Sequence, residues 1–160
     1  MRIQKLSLEE SISFDFECVA IHTPIEDYQL AYLINKNLNL RLKRTKEDLD
    51  IQNGNFKFPL FEWEDLQHQN KWYLIANVIY QEVKEKTSQQ QLFEEDMIQI
   101  EKQFLIPELK QVDYFFQINQ LISNCDLSSI IKTLNKIPQI VTSYELDPKK
   151  IKHIEHLTLE

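Results

Sequence analysis

Two acids five residues apart, Glu108 and Asp113, stand in a stretch that opens Ile106-Pro107-Glu108 and closes Val112-Asp113-Tyr114. A carboxylate pair can divide general acid and general base work when its surroundings push the two pKa values apart. If one acid lies in a turn and the other begins a strand, they either face one opening or diverge. The residues around them supply no third catalytic group and no cleft, so the plainer expectation is structural: Glu108 accepts backbone N–H groups in the turn and Asp113 pairs with a nearby Lys or Arg. Pro107 fixes its own φ and biases Ile106 toward extended backbone, which predicts a rigid entry to a strand starting near Val112. A rigid turn between strands is also a usable contact surface, so Pro107, Glu108, Asp113 and Tyr114 are the candidate binding residues.

A second constellation is basic. Between Lys36 and Lys46 lie five cations (Lys36, Arg41, Lys43, Arg44 and Lys46) and no acid. Arg41, Lys43, Arg44 and Lys46 are candidate phosphate contacts, with Lys149, Lys150 and Lys152 able to extend the patch. Leu40 and Leu42 alternate with these charges as core residues, so no aromatic stacking platform accompanies them, and a solvated strand face competes with the RNA reading. His153 and His156 have H-x-x-H spacing around Glu155, which could present two imidazoles to a metal, but a third ligand is missing and no metal site is assigned. His22 and His68 read as surface residues without triad partners. Cys18 and Cys125 form no C-x-x-C pair and are expected reduced, Cys18 packing as a small apolar group inside a strand. Trp63, in Phe61-Glu62-Trp63-Glu64-Asp65, is expected in the core or a hairpin rather than as a contact anchor.

Composition removes several classes of chemistry. The 160 residues include a single glycine, Gly54, where average usage gives roughly 11. Phosphate-cradling loops, dinucleotide fingerprints and nucleophile elbows need two or three glycines at fixed offsets, so no cofactor is expected. The net charge of −7 disfavours non-specific attraction to nucleic acid or anionic lipid. The amino-terminal residues lack a signal-peptide pattern and no apolar run approaches a membrane span, which predicts a cytoplasmic protein with no membrane contact.

The elements that must position these groups follow from periodicity. Residues 12–21 alternate as a half-buried strand. Thr23-Pro24-Ile25-Glu26 reads as a helix start capped by Thr23, with Leu30, Leu33, Ile34 and Leu38 forming the buried stripe and Tyr28 and Tyr32 flanking it. A short strand covers Leu40 to Lys43, and Asn53-Gly54 predicts a type I′ hairpin turn. Phe56, Phe58 and Leu60 follow as a strand held to an edge or bulge by Pro59. Residues 72–80 form the richest strand candidate, expected near the centre. Residues 83–96 read as a flexible insertion. Further strands cover the region from Met97 and Val112–Ile118. Asp126 caps a second helix with Leu127, Ile130, Ile131 and Leu134 buried, Pro138 closes it, Ile140–Leu146 is a final strand, and a polar tail begins at about 148. This order predicts one α+β domain over 1–160: a mainly antiparallel sheet with two helices packed on one face, ferredoxin-like with extra hairpin strands.

The segment Ile106-Pro107-Glu108-Leu109-Lys110-Gln111-Val112-Asp113-Tyr114 matches all six fixed positions of the pattern that names the IPExxxVDY family. Phe14-Asp15-Phe16-Glu17, the Thr23–Leu38 helix and the stretch from Lys136-Ile137-Pro138 to Asp147-Pro148 fit that family's layout, so the chain resembles it over nearly its whole length. The resemblance implies a small bacterial cytoplasmic protein and attaches no activity, substrate or cofactor. The function expected is non-catalytic binding of a protein partner by the surface around Ile106–Tyr114. The alternative is an RNA-associated accessory role for the 36–46 patch, and a third reading is a hydrolase with Glu108 and Asp113 in one cleft. A homo-oligomer through an exposed sheet edge is compatible with the sequence but not demanded by it.

Overall fold

A computed structural model describes residues 14–51, 54, 56–84, 98–120 and 126–159. In chain order the elements are β1 (Phe16–His22), α1 (Asp27–Leu38), β2 (Lys43–Arg44), β3 (Leu49–Ile51), β4 (Phe56–Phe58), β5 (Leu60–Asp65), β6 (Asn70–Ala76), β7 (Val78–Lys84), β8 (Ile98–Phe104), β9 (Tyr114–Gln120), α2 (Leu127–Asn135) and β10 (Thr142–Leu146). Six strands form one antiparallel sheet in the order β10-β1-β9-β6-β5-β2. In this order β1 lies between β9 and β10, the two strands that α2 joins, and β9 lies between β1 and β6. That interleaving is the split βαβ arrangement of ferredoxin-like folds, lengthened on one side by β5 and β2. The α+β architecture expected from the element order is therefore present.

Both helices pack on one face. Val19, Ile21, Leu74, Phe116 and Ile118 from the sheet meet Leu30 and Ile34 of α1 and Leu127, Ile130 and Leu134 of α2. Asp126 caps α2 as expected, its Oδ1 accepting the Ser129 N–H at 3.3 Å. The start of α1 differs from expectation. The helix begins at Asp27 with Glu26 as its cap, because the Thr23 hydroxyl donates instead to the Gln139 carbonyl at 2.7 Å. Glu26 supplies the capping box in place of Thr23: its side chain accepts the Gln29 backbone N–H, and its own N–H donates to Gln29 Oε1 at 3.2 Å.

Each outer edge of the six-stranded sheet is met by an asparagine from a helix. On the β10 side, Asn135 Oδ1 accepts the Ser143 N–H at 2.7 Å and its Nδ2 donates to the Ser143 carbonyl at 3.1 Å. On the β2 side, Asn35 bonds the Leu42 N–H at 2.9 Å and the Leu42 carbonyl at 3.0 Å. Each amide replaces one residue of an absent neighbouring strand, a way of blunting edges that would otherwise recruit another chain. Asn135→Ala is expected to cost about 1–3 kcal/mol and to increase concentration-dependent self-association in sedimentation velocity relative to the wild type. An unchanged sedimentation profile would show that the β10 edge is guarded by something else.

The opposite face is covered by β4, by the 105–112 segment and by the carboxy-terminal segment rather than left to water. Cys18, Ala20, Tyr73, Ile75 and Phe115 lie under Phe58 of β4, under Leu105, Ile106 and Val112, and under Ile151 and Leu157. With both faces occupied, Cys18, Val19, Ala20 and Ile21 are all buried and the alternation expected of β1 vanishes. The expected polar tail from 148 is corrected by the same packing: Lys149, Lys150 and Lys152 are exposed, but Ile151 and Leu157 between and beyond them are core residues.

The continuous strand expected over 72–80 is broken. Asn77 separates β6 in the sheet from β7, which leaves it and pairs only with β8 as a two-stranded arm. Residues 83 and 84, expected in the flexible insertion, complete β7, and the rest of the insertion lies outside the described residues. Pro59 likewise divides β4 from β5, and its carbonyl accepts the Ala76 N–H at 3.0 Å. Of the strand expected over Leu40 to Lys43 only Lys43 is in a strand, β2, which continues to Arg44. Gly54 lies between β3 and β4 at φ +90, as a primed hairpin turn requires; its expected companion Asn53 lies outside the described residues, as do Ile12, Met97 and Cys125.

Candidate functional site

The Leu105–Tyr114 segment is organised from inside by Asn77, whose side chain is fully buried. Its Nδ2 donates to the Leu109 carbonyl at 2.9 Å and the Val112 carbonyl at 2.8 Å, and its Oδ1 accepts the Ile106 N–H at 2.9 Å. Its own backbone bonds Leu105 N–H at 2.8 Å and Asp113 carbonyl at 3.0 Å. A loop this deeply placed must satisfy its peptide groups without water, and one asparagine supplies most of the partners. Pro107–Leu109 form a single 3-10 turn, with Pro107 and Glu108 exposed and Ile106 and Val112 in the core.

Glu108 and Asp113 diverge. Glu108 Oε1 accepts the His153 N–H at 3.1 Å, and its carboxylate lies 3.9 Å from the His153 ring nitrogen. It is a clasp on the carboxy-terminal segment. Asp113 Oδ2 accepts the Thr23 N–H at 2.9 Å, ahead of α1, in place of the Lys or Arg expected. Tyr114, expected on the binding surface, is buried, and its hydroxyl donates to the Ile25 carbonyl at 2.8 Å. Asp113 and Tyr114 line a concavity of about 270 Å³ whose lining does not include Pro107 or Glu108. The four residues therefore do not form one surface, and the two acids do not converge on a reacting atom as a hydrolase would need.

Burial alone would raise the Glu108 pKa, but backbone N–H groups of Glu108 and His153 and the His153 imidazole together bring it below the ordinary 4.5. A lowered folded-state pKa makes this clasp fully effective above the ordinary value and progressively lost as pH falls through the lowered one. Acidification from pH 5 through this range is expected to lower the amide protection factors, corrected for the pH dependence of intrinsic exchange, at Ile151–Leu157 in the wild type. Glu108→Gln should remove the Glu108-dependent part of that change, and an identical profile in the variant would refute the clasp.

The basic stretch is not a free cationic strip. Arg44 is ion-paired with Asp27 at 3.2 Å and with Asp48, and its guanidinium stands 5.7 Å from the Phe61 ring centroid. Arg41, Lys43, Arg44 and Lys46 line a groove of about 880 Å³ with Lys71, the acids Glu47, Glu62 and Glu64, and the rings of Trp63 and Tyr73, so aromatic side chains do accompany these charges, contrary to the expectation from Leu40 and Leu42. Lys43 lies directly opposite Glu62 in the β2–β5 ladder. Lys36 belongs to the last turn of α1 and is not in that lining. Sheet pairing thus mixes acids into a stretch that is purely basic in sequence.

The remaining candidates are also engaged. The His153 and His156 rings stack at 5.5 Å, and His156 Nδ1 bonds the Leu105 carbonyl at 2.7 Å, so these side chains dock the carboxy-terminal segment. Among the described residues no group of three His, Cys, Asp or Glu side chains could hold a metal ion. His22 pairs with the Tyr144 hydroxyl at 3.0 Å and His68 with Asp65 at 2.6 Å. Cys18 is buried, and desolvation pushes its thiol up to about 12, which makes it inert packing. Trp63 is half-buried against the helix-side core.

Exposed tyrosines form the feature that motif reading passed over. Tyr28 and Tyr32 on α1 are each 63% exposed, and Tyr80 on β7 is 68% exposed. The first two, with Ile25, Gln29, Leu33 and Gln139, line an apolar concavity of about 440 Å³. Ile25 is shared with the 270 Å³ concavity, where Tyr80 and Val78 join Asp113 and Tyr114. The available signal was that Tyr28 and Tyr32 lie off the Leu30–Ile34 stripe while remaining large and partly apolar. No protein-family model, curated protein or solved structure matches this chain.

Proposed function

We propose that the chain is a non-catalytic, cytoplasmic protein-binding module whose contact face is the outer side of α1 together with the base of the β7–β8 arm. The observation that carries this reading is the row of exposed tyrosines, Tyr28, Tyr32 and Tyr80, around two concavities joined at Ile25. Tyrosine combines a large apolar ring with a polar tip and few rotatable bonds, which is why it is enriched where proteins meet. Of the motif, only Asp113 and Tyr114 reach this face, so Pro107 and Glu108 fall outside the proposed interface. Among the described residues no helix is long and apolar enough to cross a membrane.

The IPExxxVDY relationship enters the same proposal, and its support is that each motif residue has a defined task. Ile106 and Val112 fill the core, Pro107 begins the turn, Glu108 and Asp113 clasp two other segments, and Tyr114 anchors Ile25. The RNA reading has less support because Arg44 is ion-paired with two aspartates and three glutamates offset most of the charge of Arg41, Lys43, Lys46 and Lys71 in the same groove.

Affinity capture from lysate of the source cells, with and without nuclease treatment, using the full chain and Tyr28→Ser/Tyr32→Ser as baits, tests the proposal. A protein retained by the wild type and lost from the folded variant is the expected result. An identical set of captured proteins would overturn the assignment of the face, and capture that depends on intact RNA would move the function to the basic groove.

A further inference from the structure

The charges around the tyrosine face select the chemistry of the partner. The concavity between Tyr28 and Tyr32 has no charged residue in its lining. In the adjoining notch every charged side chain is acidic: Glu26, Asp27 and Asp113. Asp27 is neutralised by Arg44, whereas Glu26 and Asp113 have no ion-pair partner among the described residues. The hydroxyl of Tyr114, at the floor of the notch, has its pKa raised first by burial and then by these three carboxylates. Tyr80 closes the notch with an exposed ring, and Lys102 across the arm already stands 5.6 Å from that ring's centroid, an intramolecular example of an ammonium over this tyrosine. The whole chain carries −7 and repels acidic segments at long range.

Resting on the protein-binding reading, we propose that the occupant is a segment of a partner protein in which a lysine or arginine stands beside an apolar side chain. The cation enters the notch between Glu26, Asp113 and the Tyr80 ring, and the apolar side chain fills the cleft between Tyr28 and Tyr32. The apolar contact supplies most of the affinity and the carboxylates choose the sign of the partner's charge. A patch that is purely apolar would accept many segments, whereas acids without a cationic partner at its border reject those carrying Asp or Glu.

Panning short random peptides displayed on phage against the full chain at low salt tests this. Enriched peptides should carry an excess of Lys or Arg beside Leu, Ile or an aromatic, and should not be retained by Tyr28→Ser/Tyr32→Ser. A synthetic version should bind Glu26→Gln/Asp113→Asn about tenfold more weakly in fluorescence polarisation. These substitutions remove charge but keep an oxygen for the Gln29 and Thr23 N–H groups, and thermal melts verify that both variants are folded. Peptides that require the tyrosines but lack a basic excess, or that bind the carboxylate variant equally well, would overturn the basic partner and leave the protein-binding reading standing. No enriched peptide, or only peptides indifferent to the tyrosine substitutions, would overturn both.

Discussion

Asn77→Ala is expected to lower the unfolding free energy by about 3–5 kcal/mol. The substitution removes three side-chain hydrogen bonds and leaves the buried Ile106 N–H and Val112 carbonyl without those partners, while the Leu109 carbonyl keeps the Val112 N–H at 3.1 Å. Each bond contributes about 1 kcal/mol net, but an orphaned buried group also carries its desolvation penalty, which places the sum well above three ordinary bonds' worth. With a urea slope of about 2 kcal/mol/M, the unfolding midpoint should fall by about 2 M. Asn77→Asp is a sharper comparison: its carboxylate can still accept from Ile106 but cannot donate to two carbonyls, and it buries a charge, so it should be at least as damaging. If both variants stay within 1 kcal/mol of the wild type, the motif segment is held by its apolar contacts and Asn77 is incidental.

Truncation after Asp147 is expected to be nearly as severe. Burial of Ile151 and Leu157 alone accounts for about 4 kcal/mol, at about 2 kcal/mol for each side chain. Their removal also uncovers the core around Leu105, Ile106 and Phe115 and cuts the His156 bond to Leu105 and the His153 bond to Glu108. The truncated chain should melt at much lower temperature and bind a dye specific for exposed apolar surface while retaining its far-UV helix signal. Leu157→Ala, which keeps the segment and removes one buried side chain, should cost about 2–4 kcal/mol. A truncated chain as stable as the full one would mean that residues beyond 147 are ornament to the fold.

These two expectations rest on features that linear reading missed for the same reason. Asn77 sits in the richest apolar strand of the chain, and its partners are 29 to 35 residues away. Nothing within a local window distinguishes a strand-breaking hub from a polar residue tolerated in a strand. Ile151, Ile154 and Leu157 recur at helical spacing but are interleaved with Lys150, Lys152, His153 and Glu155. That composition looks solvated unless one knows that the second sheet face lacks a helix and needs a cover. The basic patch misled in the opposite sense, since part of the acid that moderates it comes from far along the chain, Glu62 and Glu64 from β5 and Asp27 from α1, beside the local Glu47 and Asp48.

What the sequence determined by itself was everything governed by neighbours along the chain. The helical period of Leu30, Ile34, Leu127, Ile130 and Leu134 gave both helices and their buried sides, Asp126 marked the start of α2, and the alternation of strands and helices implied a split, antiparallel α+β sheet. Tertiary structure decided which chain covers the second face, which edges are closed, and where each functional-looking side chain points. Glu108 and Asp113 are near in sequence yet clasp segments on different sides of the molecule, while Tyr28 and Tyr80, far apart in sequence, border joined concavities. Such contacts come from closing long loops around a shared core, and the energy that selects among them is collective packing and peptide satisfaction, which no single residue's type or local spacing encodes.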